Sequence, residues 1–309
     1  MAKKNYNKHA VLAYLFDMKT NCGTQHIGED IDFTLREVGE GIRATGGTTP
    51  TSRSNFVFDL TRKRNTIAQR LPAHVIQYGY DLRKKTGPVP GGQSGDNYCG
   101  TFVYRGFDAN GQTIPIQDWL EWGIPDREVT IVNKVPLLVQ KFISNDEASL
   151  FSVIDYCDIL SQILGQTVQR VQSPMKWQPN EIDGYYVAET SRNIYVYPLE
   201  AKAISTSDDI NLVQLYGQYQ TFITKYKRND FNLVVRPIAA KMEPTGMLLA
   251  VLDHNPLYDA KRNKDAAMFN IIEIVRVRLD SPLAAWQKKE KCEVVFDGIQ
   301  LPSPNKKQL

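Results

Sequence analysis

The chain has 309 residues, 42% of them hydrophobic and 23% charged, and a net charge of +3. This apolar content is enough for a packed core and excludes an intrinsically disordered chain, and the length predicts two domains. No apolar run is close to the length of about 18 residues that a membrane-spanning helix needs, so we expect no membrane contact. The four cysteines and four histidines are scattered, which excludes a C-x-x-C motif and a His-rich metal site. Together these features predict a protein of the reducing cytoplasm.

Positive charge is concentrated in residues 50–86. This segment has eight basic residues and two acidic ones, a net +6, so the rest of the chain carries a net −3. A basic segment on a slightly acidic body is typical of proteins that bind nucleic acid. A solvated basic face without a partner is the alternative.

The first 95 residues are predicted to contain two short helices. Apolar residues recur at helical spacing between Leu35 and Ile42, with Asp32 as the N-cap. A turn follows, and then a second helix-like run that carries basic side chains. This arrangement predicts a winged-helix or helix-turn-helix-like DNA-binding domain over residues 1–95, with a plain helical hairpin as the alternative. The Gly- and Pro-rich stretch 84–95 is the predicted linker that ends it.

Strands and helices follow each other after the linker. Short β-branched runs predict strands. A capping-box sequence from Ser144 to Glu147 opens a predicted helix that ends at Gly165. We expect this second domain to span residues 96–285, and we expect a partly flexible C-terminal extension over residues 286–309.

Residues 184–202 form two β-rich runs around a polar turn, which predicts a β-hairpin. If the hairpin closes around Ser191-Arg192, Asp183 lies opposite Glu200, with Cβ atoms about 5 Å apart. Glu200 and Lys202 are two residues apart and point to the same face. Two facing carboxylates repel unless a cation lies between them, so they predict a Mg²⁺ site with an ammonium beside it. The alternative is a solvated ion pair of Glu200 and Lys202.

These residue types suit phosphodiester hydrolysis. A Mg²⁺ ion on Asp183 and Glu200 can polarise a phosphate and lower the pKa of an attacking water. Lys202 can orient or deprotonate that water and offset charge in the transition state. Glu147 and Glu181 are candidate accessory ligands.

A helix is predicted from Ser207 to Tyr226, with Gln214 and Gln218 on one side, and apolar strands follow it. The order is helix, strand, strand with Glu200-Ala201-Lys202, helix, strand, strand. Over residues 144–280 or so, this order and these motif residues resemble the PD-(D/E)xK nuclease superfamily.

The resemblance implies an α/β fold with a restriction-endonuclease-like core, a mixed sheet flanked by helices. It implies a Mg²⁺-dependent phosphodiesterase, for which Mn²⁺ can substitute, that leaves 5′-phosphate ends. Asp183, Glu200 and Lys202 are then the catalytic residues, and the two carboxylates are the metal ligands. Gln214 and Gln218 resemble the glutamine/tyrosine helix motif of some members. The chain departs from the pattern in one respect, since no proline precedes Asp183.

The N-terminal half resembles, more loosely, the DNA-reading domains of type II restriction enzymes, between Ser54 and Arg64 and at Leu71-Pro72-Ala73. This implies a site-specific endonuclease of a prokaryotic cytoplasm that cuts double-stranded DNA as a homodimer. A cognate DNA methyltransferase encoded nearby is the expected companion. The residues expected to contact DNA are Arg53, Asn55, Arg62, Lys63, Arg64 and Arg70.

Two other functions remain open at this point. One is a non-specific defence or repair nuclease, and the other is a non-catalytic DNA-binding regulator whose Glu200–Lys202 pair is a surface ion pair. His254 follows a predicted strand into a turn, where we expect local hydrogen bonding rather than catalysis.

Overall fold

A computed structural model of the chain describes most residues between 6 and 287. The described ranges are 6–48, 56–61, 65–85, 87–93, 96–172, 175–177, 180–204, 209–226, 232–259 and 267–287. The side chains of residues 172–181 and 259 are not part of that description.

Helices and a small sheet make up the described N-terminal part. Its elements are α1 (Lys8–Thr20), β1 (Ile31–Thr34), α2 (Leu35–Ala44), α3 (Ile67–Arg70), α4 (Ala73–Gln77), β2 (Tyr80–Lys84) and β3 (Tyr98–Tyr104). β3 is the central strand of an antiparallel sheet of order β1-β3-β2. Aromatic rings fill the core between this sheet and α1, where Phe16 packs edge-on against Phe102 and Tyr80.

The predicted helix-turn-helix is wrong in its second helix where the structure describes that segment, because residues 56–61 form turns. Phe56, Val57 and Leu60 are buried at helix-like spacing in the N-terminal core, and the Thr61 N–H donates to the Val57 carbonyl, yet the segment forms turns and no regular helix. The first predicted helix exists as α2, but Thr34 caps it with Glu37 in a capping box, and Asp32 lies in β1.

The N-terminal sheet extends past the predicted boundary at residue 95. β3 comes after the predicted linker, yet it pairs with both β1 and β2. A strand that completes a sheet belongs with that sheet, because its backbone groups are satisfied there. The division of the remaining chain at residue 285 stays a prediction.

The C-terminal part is built on a larger sheet. The strands of the C-terminal part are β4 (Arg127–Ile131), β5 (Gln169–Gln172), β6 (Met175–Trp177), β7 (Asn180–Ile182), β8 (Gly184–Glu189), β9 (Asn193–Lys202), β10 (Asn232–Val235), β11 (Ile238–Glu243), β12 (Gly246–His254) and β13 (Phe269–Leu279). Of these, β6 and β7 form a separate two-stranded sheet. Its helices are α5 (Leu137–Gln140), α6 (Glu147–Tyr156), α7 (Ile159–Leu164), α8 (Leu212–Tyr226), α9 (Pro256–Asp259) and α10 (Ala284–Gln287).

This larger sheet is mixed, with the order β4-β13-β12-β11-β9-β8-β5 among the described strands. β9 is antiparallel to β8 on one side. On its other side it runs parallel to β10 along its first half and parallel to β11 along its second half. α8 is the crossover between these parallel strands, as parallel pairing requires.

Helices cover both faces of this sheet. α6 and α7 pack on one face through Leu150, Val153 and Leu160, and α8 packs on the other through Leu215 and Phe222. The chain therefore forms a mixed α/β structure with N-terminal helices, as expected. No helix among the described residues combines the length and the apolar composition that crossing a membrane needs.

The helix predicted between Ser144 and Gly165 is two helices, α6 and α7. They are separated because Asp158 adopts a left-handed backbone conformation with φ of 51°, which interrupts helical hydrogen bonding. The N-cap is Asp146, whose side chain accepts a hydrogen bond from the Ser149 N–H (2.8 Å). Glu147 is thereby the first residue of α6.

The small sheet is joined to the start of α8 through Asp118. Arg83 of β2 donates from Nε to both carboxylate oxygens of Asp118 (2.9 and 3.1 Å) and from a terminal nitrogen to Oδ1 (2.7 Å). The Asp118 carbonyl accepts the N–H of Leu212, the first residue of α8 (2.8 Å). One residue thus connects β2 to the start of α8.

Candidate active site

The hairpin of β8 and β9 has the predicted register, which is confirmed. Gly184 pairs with Leu199, so the ladder ends just before Asp183 and Glu200. The Ala201 N–H donates to Asp183 Oδ2 (3.3 Å), which holds the Asp183 carboxylate beside the end of β9. The two-residue turn at Ser191-Arg192 sets this register, with Glu189 paired with Ile194.

Glu200 is buried, with 1% of its surface exposed. Its Oε1 accepts a hydrogen bond from Lys202 Nζ (2.9 Å), and its Oε2 accepts from the side-chain amides of Gln214 (2.7 Å) and Gln218 (3.0 Å). A carboxylate is stable out of water only with such donors. Glu200 and Lys202 are therefore not the solvated surface pair of the alternative interpretation.

Burial raises the pKa of Glu200 to about 8, and the negative charge of Asp183 acts in the same direction. The charge of Lys202 and the hydrogen bonds from Lys202 and Gln218 oppose this shift. A carboxyl group with an elevated pKa beside a second carboxylate is typical of a site that binds a cation or a proton.

Lys202 bridges two carboxylates at the mouth of the site. Its Nζ lies 2.9 Å from Glu200 Oε1 and 3.4 Å from Glu147 Oε1. Burial by itself would lower the pKa of Lys202, but the neighbouring charges of Glu200, Glu147 and Asp183 raise it above its ordinary value. Lys202 is therefore an ammonium ion at neutral pH, which favours orienting water over deprotonating it.

α8 presents Gln214 and Gln218 to Glu200 because residues four apart lie on the same face of a helix. The helix begins at Leu212, later than predicted, and the Asn211 side chain caps it by accepting from the Val213 N–H (2.9 Å). Ser207, the predicted start, lies outside the described residues. Gln218 is fully buried, so its amide has a fixed direction.

A small cleft of about 70 Å³ opens beside Lys202. Asp209, Asn211 and Trp119 line it, and sequence reasoning did not identify them. The residues around this cleft are Phe58, Trp119, Glu147, Lys202, Asp209, Asn211 and Gln214. Asn211 has a sequence signal as a helix cap, whereas Trp119 has none and pairs with Asn211 in an isolated β-bridge.

The oxygen donors at this site suit Mg²⁺. Asp183 and Glu200 supply two carboxylates, and Mg²⁺ in proteins commonly binds one or two carboxylates and completes its shell with water. No group of three or more His, Cys, Asp or Glu side chains in the described part of the chain is arranged to hold an ion. Glu147 faces Lys202, and the Glu181 side chain lies outside the described residues.

Most of the predicted DNA contacts fall outside the described residues, namely Arg53, Asn55, Arg62, Lys63 and Arg64. Arg70 is described, and it is buried in an ion pair with Asp81 (2.9 Å) while its Nε donates to the Asn65 carbonyl. Its guanidinium is thus used inside the protein, and we correct the prediction by removing Arg70 from the expected interface.

His254 lies at the end of β12, where its ring stacks on Tyr219 with centroids 4.6 Å apart. Tyr219 is on α8, so this contact helps to fix the helix that carries Gln214 and Gln218. The expected local hydrogen bonding of His254 and its non-catalytic role stay predictions.

Comparisons with protein-family models, with curated proteins and with solved structures find no match to this chain. The site is therefore interpreted from its own geometry.

Proposed function

We propose that this chain is a Mg²⁺-dependent endonuclease of the PD-(D/E)xK type that hydrolyses phosphodiester bonds in double-stranded DNA. The observation that carries the proposal is the buried Glu200 carboxylate, which lies beside Asp183 and accepts hydrogen bonds from Lys202, Gln214 and Gln218. Burying a carboxylate next to another one costs stability, and such arrangements cluster at functional sites.

The order of elements supports the same proposal. α6 precedes the antiparallel strands β8 and β9, and α8 then crosses over to strands parallel to β9. A restriction-endonuclease-like core has this helix and strand order, and the Glu200-Ala201-Lys202 motif would occupy its expected strand. The resemblance and the site are thus consistent with each other.

Each residue of the site has a role in the proposed reaction. Mg²⁺ bound by Asp183 and Glu200 would supply charge that polarises the scissile phosphate and acidifies a water molecule. The Lys202 ammonium orients the attacking water and offsets negative charge that develops on the phosphate. Gln214 and Gln218 hold Glu200 Oε2 and so fix the direction of the carboxylate.

We further propose that cleavage is sequence-specific, as in a type II restriction enzyme. Phe58 lines the cleft, and it lies between Arg53 and Arg62 in the sequence. One residue of the basic segment is therefore part of the cleft. A homodimer would supply two active sites for the two strands. A prokaryotic cytoplasm and a methyltransferase encoded nearby belong to this proposal.

The test is incubation of the purified chain with unmethylated duplex DNA of genomic complexity and Mg²⁺. Parallel reactions contain EDTA, or Mn²⁺ in place of Mg²⁺, or the variant Lys202→Met. A matched control is Arg192→Met, which removes one positive charge from the exposed hairpin turn, about 33 Å along β9 from Lys202.

Discrete fragments that disappear with EDTA and with Lys202→Met, but persist with Arg192→Met, are the expected result. A smear of fragments that responds to the same controls would support a nuclease, but a non-specific defence or repair nuclease instead of a site-specific one. DNA that stays intact with wild-type protein and both metals would overturn the proposed nuclease, and a retarded band on a gel would then favour a DNA-binding regulator.

A further inference from the structure

A second lysine, Lys241, rises from the sheet beside Lys202. β11 runs parallel to β9, and the register pairs Lys241 with Lys202 and Ala239 with Glu200. Paired residues of parallel strands project to the same face, and neighbouring strands lie about 4.8 Å apart. The two lysine stems therefore start next to each other on the face that carries the Glu200 site.

Two lysines side by side repel each other and destabilise a sheet. Around Lys202 this repulsion is offset by Glu200 and Glu147, and only 16% of its side chain is exposed. Within the described residues, the ion pair that the structure gives Lys241 is with Asp209 Oδ2 (3.5 Å), and 37% of its side chain is exposed. Lys241 is therefore held less tightly and is more accessible than Lys202.

Asp209 connects Lys241 to the cleft. Its carboxylate lines the cleft together with Lys202, and its Oδ1 accepts hydrogen bonds from Trp122 Nε1 (2.9 Å) and from the Ile210 N–H (2.9 Å). Asp209 is thus fixed in place without Lys241. The Lys241 ammonium can exchange this carboxylate for another anion while Asp209 keeps its other partners.

We propose that Lys241 binds the DNA phosphate adjacent to the scissile phosphate and so positions the strand over Lys202 and Glu200. This inference rests on the proposed function. Phosphates along one strand are separated by about 3.4 Å of helix rise. Two lysine side chains that start about 4.8 Å apart can contact two successive phosphates. Lys241 contributes binding of the strand at the site, and no proton or bond change is assigned to it.

The experiment compares Lys241→Met and Lys241→Arg with wild type and with Arg192→Met. Methionine keeps the length of the stem and removes the charge, and arginine restores the charge. Binding to a duplex is measured in EDTA across a range of salt concentrations. Single-turnover cleavage is measured with Mg²⁺ as a function of protein concentration, which separates binding from the chemical step. Thermal unfolding checks that every variant is folded.

Lys241→Met is expected to bind DNA about tenfold more weakly and to reduce the slope of log K against log salt by about 1, as for one lost phosphate contact. The cleavage rate at saturation stays within about threefold of wild type, since Glu200 and Lys202 are untouched. Lys241→Arg restores the affinity and the slope, and Arg192→Met keeps both.

Suppose that the wild-type protein binds and cuts DNA, and that Lys241→Met has the same affinity and the same salt slope. This result would overturn the inference and leave the proposed function standing. A large loss of the saturating cleavage rate without a change in slope would overturn it as well, since Lys241 would then act in the chemical step. A wild-type protein that neither binds nor cuts DNA would overturn both proposals.

Discussion

The side-chain amide of Gln218 donates a 3.0 Å hydrogen bond to Glu200 Oε2, and neither residue is more than 1% exposed. This contact joins α8 to β9 at the centre of the site. Both groups are out of water, so breaking this bond would leave a buried polar group without a partner, at the full cost of its desolvation free energy. The direction of the Glu200 carboxylate therefore depends on a helix that contains neither Asp183 nor Lys202.

Gln218→Leu tests this dependence. We expect cleavage to fall by about 10- to 100-fold, as for residues that orient a metal ligand, with DNA affinity unchanged. Single-turnover cleavage across a Mg²⁺ titration is the measurement. Gln220→Leu is the matched control, since Gln220 lies on the same helix and its amide contacts Tyr216 instead. Full activity of Gln218→Leu at low Mg²⁺ would contradict the role.

Glu200→Gln is expected to stabilise the metal-free protein in a pH-dependent way. The pKa of Glu200 is about 8 in the folded state against 4.5 ordinarily, so between these values the folded state holds a proton that the unfolded state releases. Stability of the wild type therefore falls as the pH rises through this window, and glutamine abolishes that loss. In EDTA, we expect the Tm of the variant to exceed that of wild type by at least about 3 °C near pH 8.

The same Tm difference is expected to be small near pH 5, where wild-type Glu200 is protonated in the folded state. Addition of Mg²⁺ should raise the wild-type Tm more near pH 8 than near pH 6, because metal binding must displace the proton. Glu200→Gln should not respond to Mg²⁺. A Tm difference independent of pH, or a Mg²⁺ response that survives in the variant, would contradict the assignment of Glu200.

Arg62→Ala and Arg64→Ala test the basic segment. Each is expected to weaken DNA binding similarly on all sequences and to lower the salt slope by about 1, because one phosphate contact is lost. Equilibrium binding over a salt series measures this, with Arg192→Ala as the control for a general loss of charge. Slopes equal to wild type in both variants would remove these two residues from the interface.

Arg83→Met is expected to weaken the contact between the small sheet and the start of α8. The Arg83 and Asp118 side chains are 24% and 12% exposed, and losing the arginine removes the ion-pair partner of the Asp118 carboxylate. We expect the free energy of unfolding to fall by about 3 kcal/mol, as for a broken buried ion pair. Chemical denaturation measures it, and the double variant Arg83→Met/Asp118→Leu should recover part of the loss. A change below about 1 kcal/mol would mean that the junction is held by other contacts.

The sequence by itself determined the local parts of this protein. Hairpin register follows from the position of the turn at Ser191-Arg192, and this placed Asp183 beside Glu200. Periodicity on α8 likewise put Gln214 and Gln218 on one face. The helical prediction for the N-terminal part failed at residues 56–61, which form turns although Phe56, Val57 and Leu60 are buried at helix-like spacing.

Only the tertiary structure decided which charges lie together. Arg70, Arg83 and Lys85 belong to the basic segment in sequence, yet they pair with Asp81, Asp118 and Asp32. Lys241 carries no sequence signal, and it meets Lys202 because α8 crosses over to a parallel strand whose register is set by packing. Charge pairing acts over a few ångströms in space, whatever the separation along the chain, so folding alone brings these groups within range of each other.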